Sequence, residues 1–172
     1  MPYSFYVTDH FGNRVPVNIR PASREDYQQT KTDQWQANWN SSYIRQRKLK
    51  KFAMLTCEEK ELVGLLAIEP LPENYCLHMA YMEASPTSNP TLAKHGERKY
   101  YGIGKAMFAF AIEQSILSGF DGTLVFKAKT TELYYHYIGE YHAMPLGHTG
   151  YELILFPDAG LPILESYEEE EE

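Results

Sequence analysis

Residues 97–117 read E-R-K-Y-Y-G-I-G-K-A-M-F-A-F-A-I-E-Q-S-I-L, a Gly-x-Gly turn running directly into a long apolar helical pattern. Gly102 and Gly104 have no Cβ, so the backbone there can come close to a ligand. The N–H groups that open the following helix point at any anion seated before them. The chemistry this spacing suits first is the binding of a phosphate-bearing cofactor. Two common phosphate readers fail on spacing. A Walker-type loop needs Gly five residues before Gly104 and Ser or Thr after Lys105, where Lys99 and Ala106 stand. A dinucleotide fingerprint needs Gly or Ala three residues after Gly104, where Met107 stands, and an acidic residue closing a second strand about twenty residues on.

The elements that must position this turn follow from patterning. A strand is predicted over residues 14–19, ending before Ser23, a good helix N-cap with Glu25 and Asp26 in the first turn. Trp35, Trp39 and Tyr43 recur every four residues, which predicts a second helix with three aromatics on one side, either core or the wall of a pocket. Apolar runs at 52–57 and 62–69 around the charged E-E-K-E predict an antiparallel hairpin. A strand over 75–82 and a turn-rich stretch from 84 lead to the Gly-x-Gly turn and a helix over 104–117, apolar on two sides, with Gly119 as C-cap. A strand over 123–128, a helix over 131–139 and a strand over 151–156 complete the order β-α-α-β-β-β-α-β-α-β, a mixed α/β class without internal repeat.

Size and composition bound the reading. At 172 residues, 44% hydrophobic and 14% aromatic, the chain suits one packed domain over 1–166, followed by an acidic tail at 167–172 that is expected to be disordered. A formal charge of -7 argues against general affinity for nucleic-acid phosphates. No apolar run approaches the roughly 20 residues that span a bilayer, and the N-terminus has no signal-peptide layout. A cytoplasmic protein with neither nucleic-acid nor membrane partners is expected. Cys57 and Cys76 make no disulfide scaffold or zinc knuckle and the six His show no ligand spacing, so reduced thiols and no metal are expected.

Lys99-Tyr100-Tyr101-Gly102-Ile103-Gly104 resembles the acyl-CoA pyrophosphate loop of the GNAT superfamily of N-acetyltransferases, Gln/Arg-x-x-Gly-x-Gly/Ala, with Lys in the first position. I-R-P-A at 19–22 resembles the family's opening, and V-G-L-L-A-I from Val63 resembles its third strand. L-Y-Y-H-Y-I-G at 133–139 resembles its aromatic-Tyr-x-x-Leu/Ile-Gly helix ending. The element order is also similar, so the likeness covers about residues 17–156. The chain departs from the family in a longer segment at 84–97 without the Val-x-Pro-x-x-Arg run, and in Thr130 and Thr131 where Asn and Ala are frequent. The resemblance implies the GNAT fold, a mixed and mostly antiparallel sheet flanked by helices. It also implies acetyl-CoA as acyl donor and an amine of a small molecule or protein as acceptor. Homodimers are common among similar proteins.

Acetyl transfer to an amine has two proton problems. An amine with a pKa near that of lysine is neutral in only about one molecule in two thousand at pH 7, so it must lose a proton, and the departing thiolate must gain one. Tyr135 matches the Tyr of the family motif and is the candidate acid. At 100° per residue it lies off the helix face shared by Leu133, Tyr134, Tyr137 and Ile138, so core packing alone does not explain it. Glu83, at the end of the strand before the loop, is the candidate base, with Glu69, His78 and a water-mediated route as rivals. The resemblance assigns Met79, Ala80, Tyr81 and Met82 to the strand edge beside pantetheine. It assigns Tyr100, Tyr101, Gly102, Ile103, Gly104 and Lys105 to the pyrophosphate, with Arg98 and Lys99 as phosphate partners, whereas Lys94 is read as part of a solvated loop more than as a phosphate partner. The basic residues from Arg45 to Lys51 are read as a solvated helix end. An active N-acetyltransferase and a non-catalytic acyl-CoA-binding module of the same fold both fit, and fold does not fix the acceptor.

Overall fold

The computed structural model describes residues 3–46, 48–89, 98–147 and 150–169. In chain order its elements are β1 (Tyr6–Asp9), β2 (Arg14–Pro21), α1 (Arg24–Thr32), β3 (Lys50–Thr56), β4 (Leu62–Leu71) and β5 (Cys76–Ala84). They continue with β6 (Tyr100–Tyr101), α2 (Ile103–Leu117), β7 (Leu124–Lys127), α3 (Thr131–Tyr141), β8 (Met144–Pro145), β9 (Glu152–Leu155) and α4 (Pro157–Glu165). The strands form a mixed sheet in the order β6-β1-β2-β3-β4-β5-β7-β9-β8, flanked by the helices. Contacts gather into two compact units, one of Ser4–Ala67 with Tyr81–Met107, the other of Met1–Tyr3, Ile68–Ala80 and Phe108–Glu172.

In the first unit, local sequence sets the opening of α1. The Ser23 hydroxyl accepts from the Asp26 amide, and the Asp26 carboxylate accepts from the Ser23 amide at 2.7 Å, a reciprocal capping box. Arg20, near the end of β2, donates twice to the same carboxylate, at 2.7 and 3.1 Å. Burial pushes the Asp26 carboxyl upward, but the bonds from Arg20 and Ser23 outweigh it and hold the group below its ordinary value.

The second helix predicted around Trp35, Trp39 and Tyr43 does not form; α1 ends at Thr32 and the segment that follows is built of turns and bends. Gln34 takes φ 60°, which a right-handed helix cannot pass through, and the Gln36 and Ala37 amides bond to the Glu83 carboxylate in place of carbonyls four residues back. Trp35 and Trp39 are core, packed with Ile44, Ala53, Leu65 and Ala67, whereas Tyr43 is 63% exposed. The four-residue spacing thus reflects two buried anchors in a loop, not a helical stripe.

The β3–β4 hairpin closes through the Thr56 amide on the Glu61 carbonyl. In β4, a Cβ on Gly64 would stand 3.1 Å from Met107 Sδ and 3.2 Å from Ile103 Cγ2, so the absent side chain is what lets α2 lie this close to the strand. α2 is buried without a break over 106–112, while Ile116 and Leu117 at its end are exposed, and Gly119 takes φ 88° beyond it.

In the second unit, β5 pairs in parallel with β7 from Leu77 to Met79 against Leu124 to Phe126, and β7 pairs antiparallel with β9. The Phe108, Phe126, Tyr137 and Tyr141 rings pack at centroid separations of 4.9 to 5.7 Å, and burial pushes the Tyr137 and Tyr141 phenols up to about 12. Thr130 caps α3, which runs past Gly139 to Tyr141 and stops where His142 turns left-handed at φ 58°. α4 lay beyond the sequence prediction, as did the short strands β1, β6 and β8. After α4, Tyr167 is buried and Glu168 bridges Tyr3 in antiparallel fashion; 170–172, the rest of the acidic tail, lie outside the described residues.

Candidate functional site

The glycine turn lies between β6 and α2, in the first unit. Gly102 takes φ 85°, a region that costs any residue with a Cβ, and the Ala106 amide makes a helical bond to the Gly102 carbonyl. The Ile103 and Gly104 amides therefore precede the helical ladder, at the end of α2 where the summed peptide dipoles leave about half a positive charge. Among the described residues, a Cβ built on Gly102 or on Gly104 meets nothing within 4 Å, so their packing does not require glycine at 104.

The residues leading into the turn are fixed by neighbours far away in sequence. β6 pairs with β1, Tyr100 opposite Asp9 and Tyr101 opposite Thr8. The Lys99 amide donates to the Thr87 carbonyl and the Tyr100 amide to the Ser88 hydroxyl. Lys99 Nζ donates to both oxygens of Glu61 at 2.9 Å, and the Tyr100 hydroxyl donates to Glu61 at 3.0 Å. Burial, then the bond to Glu61, pushes the Tyr100 phenol up to about 12. Lys99, expected to face phosphate, thus spends its charge on Glu61. The Arg98 guanidinium lies over the Tyr101 ring, 5.0 Å from its centroid, and Lys94 falls outside the described residues. Glu61 escaped sequence reasoning because it sits in the charged E-E-K-E run, where a carboxylate gives no distinguishing signal.

Glu83 is the penultimate residue of β5 and is 3% exposed. Its Oε2 accepts from the Gln36 amide at 2.6 Å, and its Oε1 accepts from the Ala37 amide at 3.1 Å and from Trp39 Nε1 at 2.8 Å. Trp39 meets Tyr81 edge-on at 6.4 Å, and Tyr81 meets Tyr43 edge-on at 5.8 Å. The turn held by Glu83 lines a cavity of about 260 Å³ whose other walls are Thr30, Lys31, Gln34 and Trp35.

Tyr135 belongs to the second unit, on α3. Tyr137 is buried, Leu133, Tyr134 and Ile138 are half-buried, and Tyr135 is 65% exposed, the off-face position expected for it. Its ring packs edge-on against Tyr134 at 5.3 Å. Met79 is buried and Ala80 half-buried on β5, which runs on beyond the end of the parallel register at Met79 through half-buried Tyr81 and Met82 to Ala84. His78 Nδ1 stands 3.7 Å from Glu69 Oε2. The loop residues and Glu83 therefore share one unit, whereas Tyr135, His78 and Glu69 share the other. Among the described residues no three His, Cys, Asp or Glu side chains are grouped to hold a metal, and no helix is long and apolar enough to cross a membrane.

No family model matches the chain, and no curated protein sequence matches it. Solved structures do. AtaTR bound with acetyl-CoA matches at a TM-score of 0.54 and 12% identity, over 86% of this chain and 97% of that one. AtaT complexed with acetyl-methionyl-tRNAfMet matches at 0.50 and 13%, over 87% and 99%. The KacTA–DNA complex matches at 0.54 and 10%, over 87% and 99%. At these identities the likeness is one of fold, along nearly the whole of both chains.

Proposed function

The chain has the fold of the GNAT acyl-CoA N-acyltransferases, and from that premise we propose that it is a cytoplasmic N-acetyltransferase moving an acetyl group from acetyl-CoA to a primary amine. The observation that carries the reading is the turn at Gly102 and Gly104. Among the described residues nothing stands within 4 Å of a Cβ built on either glycine, and the turn runs directly into α2. Backbone N–H groups there suit pyrophosphate oxygens, and glycine at 104 keeps the approach clear.

Acetyl-CoA, when bound, supplies an acetyl thioester. The residues from Tyr100 to Lys105 would hold its pyrophosphate, and the edge of β5 from Met79 to Met82 would lie along pantetheine. The amine lone pair forms the new C–N bond as the C–S bond breaks, and the departing sulfur needs a proton. Tyr135, exposed on α3 and carrying a phenolic O–H, is the proposed donor. The amine proton leaves through solvent or another group; the three N–H donors already on Glu83 favour an anchoring role for that carboxylate.

Acetyl-CoA is expected to raise the melting temperature, and Tyr135→Phe is expected to slow thiol release at least ten-fold while leaving that shift nearly intact. Unchanged turnover in the variant would remove Tyr135 from the reaction. Thermal stabilisation without thiol release across a broad amine panel would instead mark a module that binds acyl-CoA and does no chemistry. The panel should include aminoacyl-tRNA beside small amines and protein amino groups, because AtaT was solved with acetyl-methionyl-tRNAfMet.

A further inference from the structure

Taking the acetyl-transfer reading as its basis, we propose that Glu83 is a positioning residue: it clamps residues 36–39 to the end of β5 and so fixes the wall of the acceptor pocket, instead of taking the proton of the amine. Two carboxylate oxygens accept about four hydrogen bonds, and three of these places are filled by donors 44 to 47 residues away in the chain. The group is 3% exposed beneath the turn it holds. A proton on Oε1 would displace one of its two N–H donors, and a proton at the open place on Oε2 would remove the charge that strengthens all three bonds, in a buried setting where a lost bond is costly. Taking a proton in each cycle would therefore loosen the clamp in each cycle.

What the clamp holds is a pocket wall. Residues 36–38 line the 260 Å³ cavity. From the other side Asn89 Nδ2 donates to Gln36 Oε1 at 3.3 Å. Trp39, fully buried, carries the restraint to Tyr81 and then to exposed Tyr43 through two edge-on ring contacts. No regular secondary structure fixes residues 34–39, so the carboxylate supplies the order that a helix would otherwise give.

Glu83→Gln keeps the shape of the side chain but turns an amide NH₂ toward N–H donors. The variant is expected to raise the acceptor KM ten-fold or more, to hold kcat within about three-fold, and to leave the pH profile of kcat in place. Exchange of the Gln36 and Ala37 amides should quicken at least ten-fold while the melting shift given by acetyl-CoA persists. Trp39→Phe removes one donor and keeps most of the packing. It should move KM and exchange in the same direction by a smaller factor, and it carries the test if Glu83→Gln does not fold. A hundred-fold loss of kcat at unchanged KM, with the rising limb of the pH profile displaced, would make Glu83 the base and overturn the proposal, as would unchanged exchange at 36 and 37. Exchange needs no turnover, so a failure of the acetyl-transfer reading would show as absent thiol release from the wild type while protection at 36 and 37 still depended on Glu83.

Discussion

Gly102 and Gly104 are both glycine, for different reasons. At 102 the backbone itself asks for it, with φ 85°; at 104 neither a positive φ nor packing among the described residues does, and the proposed approach of the cofactor is what glycine there would serve. Gly102→Ala should cost about 1 kcal/mol of stability, the strain of a left-handed residue with a Cβ, and weaken acetyl-CoA binding as the turn shifts. Gly104→Val should leave the melting temperature of the free protein within a few degrees and abolish most of the shift given by acetyl-CoA. Thermal melts with and without acetyl-CoA separate the two. An equal loss of stability in both variants would show that glycine at 104 serves packing after all. At this scale the sequence was legible where the backbone sets conformation, as at Gly102, or where helical periodicity sets exposure, as at Tyr135. It was illegible where a side chain's role depends on a distant partner: nothing near Lys99 announces Glu61, and nothing near Glu83 announces Trp39.

The elements repeat this division. α1 could be read from Ser23 and Asp26 because capping is a matter of four consecutive residues, and α2 from its long apolar pattern. Residues 33–46 could not, because the Gln36 and Ala37 amides are satisfied by Glu83 across the fold and the spacing of buried Trp35 and Trp39 imitates a helical period. β6 and β8, of two residues each, exist only as partners of β1 and β9, and no two-residue pattern can show that. The cap of α1 carries a pH signature. The folded Asp26 carboxyl titrates below its unfolded value near 3.9, so its contribution to stability is complete above that value and is lost as pH falls through the lower folded one. Denaturant melts between pH 6 and pH 2 should therefore show an acid-side decline that Asp26→Asn flattens; an identical decline in the variant would place the acid sensitivity elsewhere.

Across the whole molecule, an acidic chain with a formal charge of -7 presents an anion-receptive helix start, and the binding proposed there rests on oriented backbone amides more than on side-chain cations. That is consistent with the pairing of Lys99, which leads into the turn, to Glu61. Mixed α/β class, the longer strands and helices apart from the helix expected after α1, and likeness to the GNAT fold were visible in the sequence because local patterns set them; the turns of residues 33–46 were not, because contacts distant in the chain shape them. The most direct measurement is a crystal structure with acetyl-CoA. Pyrophosphate oxygens should lie within about 2.7–3.2 Å of the Ile103 and Gly104 amide nitrogens. A cofactor bound elsewhere, or a turn left unoccupied at saturating acetyl-CoA, would contradict the assignment.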